Sequence, residues 1–217
     1  MNRRESMTIA LSIAGLACAA ASANVNVTQG DSAPTYSTTL NFDEPGGPVG
    51  AGLASDSWLL SHGVTTMQAG DAFNRVENRS AMPGFGWLPD SNAFVGGFGV
   101  FMEFENDLTE FSAQIWDNAG PGGPFSGGMI IVALDDGVEV LNEFFDNPVY
   151  GVSGDADTWF DITTTDGMVF DEVRIVGFAF VGPETIVDNI SWNAVPAPGS
   201  MAVLAIGGLA ATRRRRA

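Results

Sequence analysis

The chain has 217 residues, with 26 acids, 9 arginines and no lysine, and its formal net charge is −17. Six arginines lie at the two ends, so residues 24–194 hold 25 acids and 3 arginines, a formal net charge of −22. A body this negative repels nucleic acid and anionic membrane surfaces, which excludes nucleic acid as a partner. Its length suits a single domain with one sizeable core.

Residues 1–23 have the order of a secretory signal peptide. Two arginines precede a short apolar run that ends at Ala21-Ser22-Ala23, a small-x-small cleavage pattern. Cleavage after Ala23 would make Asn24 the first mature residue. The segment also contains Cys18, the one cysteine of the chain, so the mature protein would rely on its core and bound ligands rather than on disulfides.

The body, residues 24–194, shows no long helical period. Short runs rich in Val, Ile, Phe, Thr and Trp are separated instead by Gly, Pro, Asn and Asp, which is typical of β-strands. The pattern predicts an all-β fold, a two-sheet antiparallel β-sandwich of the jelly-roll type. The predicted strands are Tyr36–Phe42, Trp58–Gln68, Phe73–Asn78, Phe98–Phe104, Leu108–Trp116, Met129–Leu134, Val138–Phe145, Trp159–Thr163, Val169–Phe180 and Thr185–Trp192.

Residues 195–217 form a tail in three parts. Val195-Pro196-Ala197-Pro198 ends the last strand, Met201–Ala211 is an uncharged apolar segment, and Arg213-Arg214-Arg215-Arg216 is a basic stop. The apolar segment is well short of the ~20 residues that span a bilayer stably as a helix. The arginines would remain at the cytoplasmic face. This pattern predicts transient membrane contact through the tail.

The tail resembles the PEP-CTERM sorting signal of exported bacterial proteins, in which a proline motif, an apolar helix and an arginine cluster follow in the same order. Ala197 stands where that family usually has Glu. The resemblance implies that an exosortase-type membrane enzyme processes the tail. It also implies delivery to the cell surface or to extracellular polysaccharide.

Two motifs of the body resemble the pattern of many such exported proteins. They are Asn41-Phe42-Asp43-Glu44-Pro45 near the start and Val187-Asp188-Asn189-Ile190-Ser191-Trp192 just before the tail. Those bodies are similar to jelly-roll carbohydrate-binding modules. The resemblance implies that the first and last strands lie near each other, with a structural calcium ion close by.

The parity of the last predicted strand would carry Asp188 inward. Side chains alternate with period two, so four residues would share a face: Ile186, Asp188, Ile190 and Trp192. Three of the four are apolar, which predicts that this face points into the core. A carboxylate carried inward is costly unless it is paired or bound to a metal.

Arg174 is flanked by two inward-looking apolar residues, so its side chain should point outward. It is then not expected to form an ion pair with Asp188. Calcium is then the expected partner, because it takes roughly six to eight oxygen ligands, backbone carbonyls included. We predict a structural calcium site in which Asp43 or Glu44 joins Asp188 and loop carbonyls near Pro45 add further ligands. The alternative is that these acids lie at strand ends and reach water.

Two groups of residues are candidates for catalysis. His62, the one histidine, lies in Ser61-His62-Gly63 and is interpreted as a surface or half-buried strand histidine rather than a general base. Glu103 and Glu105 share one strand face, and a retaining glycosidase needs two carboxyls about 5 Å apart. A body with 25 acids produces such pairs by chance, so we predict no catalytic residues.

Three aromatic residues fall in Gly/Pro-rich loops rather than in alternating strands: Phe85, Trp87 and Phe125. Flat aromatic faces stack on sugar rings, which makes these residues candidates for ligand binding. The alternative is that the rings fold back on the core, as long loops often pack their own side chains.

The sequence therefore predicts an exported, non-catalytic β-sandwich at the cell surface or in the extracellular matrix, with a structural or binding role. One alternative is a carbohydrate-binding module proper, and a second is a polysaccharide hydrolase or lyase of the same fold. The expected partners are an exosortase-type enzyme and extracellular polysaccharide.

Overall fold

The structure is a computed structural model that describes residues 25–44, 47, 56–70, 74–78, 80, 90–117, 128–145, 158–177 and 184–195. The predicted signal peptide, the tail beyond Val195 and the loop aromatics Phe85, Trp87 and Phe125 lie outside these residues. No helix within the described ranges has the length and apolarity needed to cross a bilayer.

Eleven strands and one short helix make up the described chain. In order they are β1 (Val25–Gly30), β2 (Thr38–Leu40), α1 (Asp56–Ser61), β3 (Val64–Ala69), β4 (Asn74–Glu77), β5 (Ala93–Gly97), β6 (Val100–Asp117), β7 (Met129–Asp135), β8 (Val138–Phe145), β9 (Trp159–Thr164), β10 (Phe170–Gly177) and β11 (Glu184–Ala194). Every strand pair is antiparallel. The predicted all-β antiparallel class is confirmed.

The 18-residue strand β6 changes partners halfway along its length. Its first part, residues 100–104, pairs with β3 and β10, and the hairpin of β7 and β8 continues from β10. Its second part, residues 108–117, pairs with β9 and β11. β1 then adds to β9, β2 and β5 add to β11, and β4 adds to β5.

The sequence predicted a break between Phe98–Phe104 and Leu108–Trp116, and that prediction is wrong. The polar residues 105–107 suggested a turn, but the chain stays extended through them. Leu108 is fully buried and pairs with both Phe170 and Ala194, which holds the strand across the point where its partners change.

The largest apolar cluster, called the main core here, is lined by side chains from both parts of β6. Burying these large side chains is the dominant favourable contribution to folding. Arg174 lies between the buried residues Val173 and Ile175 and points outward, as predicted, where it pairs with Glu172 and lies over the ring of Phe101. The main core includes Val100, Met102, Phe104, Phe111, Ile115, Val173, Ile175, Val187, Ile190 and Trp192.

The predicted strand Trp58–Gln68 is a helix in its first part. Trp58 and Leu59 are both buried while Leu60 is 51% exposed, a pattern that one side of a helical turn produces and a strand does not. Gly63, with φ of 83°, ends the helix in the left-handed conformation that glycine adopts without strain. Strand β3 starts at the next residue.

Candidate functional site

The ladder between β6 and β11 carries apolar side chains on one side and, from the pair of Asp188 and Gln114 onward, polar side chains on the other. Val187 stands opposite Ile115, and both belong to the main core. Asp188 stands opposite Gln114, and Ser191 stands opposite Ser112, on the reverse side of the ladder. We call this reverse side the polar face; it comprises Ser112, Gln114, Asp188, Asn189 and Ser191. All but Asn189 are buried, so the polar face is covered rather than open to solvent.

A β-bulge at Asn189 shifts the alternation of β11. Between Asp188 and Ser191 the strand advances three residues, while β6 advances two from Gln114 to Ser112. Asn189 absorbs the extra residue with φ of 51°, a conformation that asparagine tolerates better than most side chains.

The bulge overturns the predicted single face of the last strand. Ile190 and Trp192 pack in the main core, but Ile186 packs in a separate small cluster with Val95 and Trp116. Asp188 is buried as the sequence predicted, yet it lies on the polar face. The predicted single face is wrong because the one inserted residue at the bulge exchanges the two faces for the rest of the strand.

Asp188 is fully buried, and within the described residues no arginine or histidine lies within ion-pair distance. Burial, together with a smaller contribution from the nearby charge of Asp43, raises the pKa of Asp188 to about 6. The Asn189 N–H and the Ser91 hydroxyl donate to the carboxylate at 2.7 and 2.9 Å and offset part of that rise. Among the described residues, the carboxylate therefore has neutral hydrogen-bond donors and no cationic side chain.

The other two predicted calcium ligands diverge. Asp43 lies close enough for its charge to raise the pKa of Asp188, and its Oδ1 accepts bonds from the backbone and side chain of Asn92 at 3.1 and 2.7 Å. Glu44 Oε1 accepts from the Asn41 N–H at 3.0 Å, and Oε2 lies 2.8 Å from His62. Asp43 is thus near Asp188, whereas the carboxylate of Glu44 is bonded to Asn41 and His62. Among described residues, no group of three His, Cys, Asp or Glu side chains is arranged to hold a metal.

The three candidates for catalysis, His62, Glu103 and Glu105, are all among the described residues. His62 follows α1, packs its ring on Trp58 at 4.8 Å between centroids, and contacts Glu44 through Nε2. Glu103 and Glu105 are exposed, and Glu103 accepts a bond from the Thr66 hydroxyl at 3.0 Å. These contacts give His62 a role in joining α1 to the segment after β2.

Residues 34–37, called the covering segment here, lie across the polar face. The Ser112 hydroxyl donates to the Pro34 carbonyl at 2.9 Å, and the Tyr36 N–H donates to the Ser191 hydroxyl at 3.1 Å. The Tyr36 hydroxyl donates to Asp161 Oδ1 at 2.6 Å. Burial, reinforced by this bond, raises the pKa of the Tyr36 hydroxyl. These directional bonds fix where the segment lies.

A pocket of about 260 Å³ opens beside the covering segment. β9 contributes Trp159, which stands opposite Gln114 and therefore on the polar face. The bulge contributes Asn189, and the chain after β2 contributes Asn41. The remaining lining residues are Thr35, Thr39, Leu40, Ile190 and Ser191, so no lining side chain is charged.

Side-chain amides in and behind the pocket form a relay. Asn41 Nδ2 donates to Asn189 Oδ1 at 2.9 Å, Asn189 Nδ2 donates to Gln114 Oε1 at 3.0 Å, and Gln114 Nε2 donates to Thr158 Oγ1 at 3.1 Å. Each bond fixes the orientation of the next amide, and buried chains of this kind strengthen one another. The pocket is therefore preorganised, in the sense that these bonds set the orientation of its amides.

Sequence reasoning did not identify this pocket. Asn41 and Asn189 fell inside the two motifs that resemble exported proteins, but Trp159 was assigned only to a strand. The three residues lie far apart in the chain, and no spacing between them signals that they meet. Comparison of the chain with protein-family models finds no match, and comparison with curated proteins finds no significant match.

Proposed function

We propose that this protein is exported to the cell surface or extracellular matrix, where it has a structural or binding role and no catalytic one. The observation that carries the proposal is the preorganised pocket, which holds neutral amides, hydroxyls and one indole but no charged side chain. Such a pocket binds through hydrogen bonds and ring contact. Acid–base catalysis would require a positioned titratable group.

Delivery rests on the sequence of the two ends. The signal-peptide pattern of residues 1–23 directs secretion, and the tail from Val195 to Arg216 directs sorting by an exosortase-type enzyme after transient membrane contact. The contacts of β11 support a boundary between the body and the tail near Val195. The Val195 N–H donates to the Asp107 carbonyl at 2.7 Å, and the next residue is Pro196. Pro196 has no N–H with which to extend the ladder.

Fractionation of the producing cells tests delivery. The full chain should be found at the surface or in the polysaccharide matrix, while a chain ending at Val195 should be secreted and lost to the medium with unchanged thermal unfolding. Retention of the truncated chain in the matrix at full level would show that the tail does not direct sorting. Failure of that chain to fold would make the tail part of the core.

We further propose that the two parts of β6 belong to the two sheets of a jelly-roll-like sandwich. Each part has its own partners, β3 and β10 on one side and β9 and β11 on the other. A strand that passes from one sheet to the other joins the sheets at a corner. Side chains from both parts pack in the main core, as the two inner faces of a sandwich do.

Calcium is proposed as a structural ligand near Asp188 and Asp43. A fully buried carboxylate with only neutral donors, and with a second carboxylate close enough to raise its pKa, is a favourable setting for a hard cation. The two carboxylates would hold the ion together with oxygen atoms of the neighbouring backbone. Glu44 is set aside from this site by its contacts with His62 and Asn41.

Thermal unfolding with calcium and with chelator tests the ion. Binding to the folded state alone would stabilise it by about 2.7 kcal/mol at a hundredfold excess over Kd. The Asp188→Asn variant should unfold identically in both buffers. Equal melting temperatures of the unaltered protein in the two buffers would remove calcium from the proposal and leave the export role standing.

A further inference from the structure

The pocket between Trp159 and the Asn189 bulge has a volume suited to one small ring. Its volume of about 260 Å³ lies just below the roughly 300 Å³ at which sites for drug-sized ligands begin. It lies on the polar face beside the covering segment. The covering segment and β2 line one side, and the half-buried Trp159 lines another.

The polar groups of the pocket have spare hydrogen-bonding capacity. An asparagine amide can donate two bonds and accept two. Asn189 donates one to Gln114 and accepts one from Asn41. Asn41 in turn donates that one bond and accepts one, from the Asp43 N–H. Each amide therefore keeps one N–H and one lone pair for a ligand, at an orientation that the relay already fixes.

The charge of the pocket and its surroundings selects a neutral ligand. None of the described side chains that line the pocket is charged, so an anionic ligand would find no arginine among them to pair with. The body carries a formal net charge of −22, which repels anions over its whole surface. A cation would find no carboxylate in the lining to compensate its charge.

The mixture of one indole with amides and hydroxyls matches the two sides of a sugar ring. A pyranose has an apolar face of C–H groups that packs on an aromatic ring, and an edge of hydroxyls that donate and accept hydrogen bonds. Trp159 supplies the apolar surface, while Asn41, Asn189 and the threonine hydroxyls supply polar partners.

We propose that this pocket binds one neutral pyranose unit of an extracellular glycan, with Trp159 as the stacking surface and the amides of Asn41 and Asn189 as the hydroxyl-reading groups. The inference rests on the proposed function, since it names the ligand of a binding protein in a polysaccharide matrix. It assigns binding to Asn41, Trp159 and Asn189 instead of the loop aromatics Phe85, Trp87 and Phe125, which lie outside the described residues.

Titration of the purified secreted protein with single sugars tests the pocket. The probes are methyl glucoside, methyl galactoside, methyl mannoside and N-acetylglucosamine, with glucuronate as the anionic comparator, followed by calorimetry and by amide shifts in NMR spectra. At least one neutral sugar should bind and shift the amides of residues 189–191. Glucuronate should bind about tenfold more weakly, because its carboxylate would be repelled.

Variants locate the binding. Trp159→Ala should weaken it about tenfold by removing the stacking surface, and Trp159→Phe should restore part of the loss. Asn189→Gly keeps the backbone conformation of the bulge and should weaken binding about fivefold by removing one amide. Phe144→Ala is the matched control, an aromatic residue that is 53% exposed on β8 and outside the pocket, and it should leave affinity unchanged.

The outcomes separate this inference from the proposed function. Two results would overturn the pocket as a sugar site. One is that no neutral sugar binds, and the other is that all three pocket variants bind with the same affinity as the unaltered protein. If sugar binding fails in this way but the Trp159→Ala protein is still retained in the producer's matrix at full level, the export and matrix role stands and this ligand is excluded. If Trp159→Ala does not fold, Trp159→Phe and Asn189→Gly decide the question.

Discussion

On the core-facing side of the ladder between β6 and β11, Phe111 stands opposite Trp192, and the Trp192 ring lies 5.2 Å from that of Phe104. On the reverse side of the same ladder, Ser112 stands opposite Ser191, and their hydroxyls are 2.8 Å apart. All four of these paired residues are at most 3% exposed, so the sides differ in chemistry and not in burial.

The difference teaches how one ladder can serve two purposes. Apolar contact is non-directional, so the core side contributes stability in proportion to the area it buries. Hydrogen bonds are directional, and a buried polar group without a partner is costly. The polar face therefore determines which segment covers it and where, and it leaves a pocket whose amides are already oriented.

The largest effect should come from the core side. Phe111→Ala removes a buried ring that contacts Phe104 and should lower the free energy of unfolding by about 3–5 kcal/mol, measured by chemical denaturation. Phe144→Ala is the control and should change it by less than about 0.5 kcal/mol, because its ring is 53% exposed. A loss at Phe111 no greater than that at Phe144 would contradict the assignment of this side to the core.

The next effect concerns the carboxylate of the polar face and depends on pH. The pKa of Asp188 is raised from 3.8 to about 6 in the folded protein. Below pH 4 the carboxyl is protonated in both states and makes its full contribution. Between about pH 4 and pH 6 the unfolded chain has lost this proton while the folded protein still holds it, so the stability contributed by Asp188 declines and is lost once the pH has risen through 6.

Asp188→Asn should remove this decline. The gap between the two pKa values corresponds to about 2–3 kcal/mol, so the variant should gain that much relative to the unaltered protein between pH 4 and pH 7 in chelator. Burial also raises the pKa values of Asp161 and Asp171. Their effect on stability is the same in the unaltered protein and in the Asp188→Asn variant, so it does not alter the difference between the two. Parallel curves of stability against pH for the two proteins would contradict the prediction.

A smaller effect on the free energy of unfolding should come from the β-bulge at Asn189, where the two faces of β11 exchange. Asn189 has φ of 51°, which glycine adopts freely and alanine adopts with strain. Asn189→Ala and Asn189→Gly both remove the amide, so their difference reports the backbone alone. We expect the alanine variant to be about 1 kcal/mol less stable than the glycine variant by chemical denaturation. Equal stability would mean that the strand passes this position without a bulge.

The smallest effect concerns the bonds to the covering segment. Ser112→Ala loses the bond to the Pro34 carbonyl and should cost about 0.5–1.5 kcal/mol. Hydrogen exchange of the Tyr36 amide, which donates to Ser191 next to Ser112, should become faster. Ser37→Ala is the control, because the bond from residue 37 to Asn193 uses its backbone N–H. Unchanged exchange at Tyr36 in the Ser112 variant would show that these serines do not hold the segment.

The alternation of apolar residues was enough to predict the all-β class and most strands, and the outward position of Arg174 followed from its two apolar neighbours. The helix α1 was missed because six residues with two adjacent buried side chains are too short to show a helical period. The continuity of β6 was missed because residues 105–107 are polar but extended.

The candidate site was harder to predict than the fold, for physical reasons. Burial of Asp188 was predicted correctly, but its side of the strand was not, because a bulge leaves no reliable mark in a single sequence beyond an asparagine that tolerates positive φ. The pocket depends on Asn41, Trp159 and Asn189 meeting through strand order. Local patterning carries no information about that order.

The bond from the Val195 N–H to the Asp107 carbonyl has a mechanical consequence. A pull on the chain beyond Val195 is transmitted directly into β11, which is hydrogen-bonded to β6 along one edge and to β2 and β5 along the other. The load enters the middle of the sheet instead of peeling an edge strand, so many backbone bonds resist it together. The same strand contributes Asn189–Ser191 to the pocket wall. If a ligand were bound in the pocket while the tail was anchored, the tension between them would run along six residues of β11, from Asn189 to Ala194.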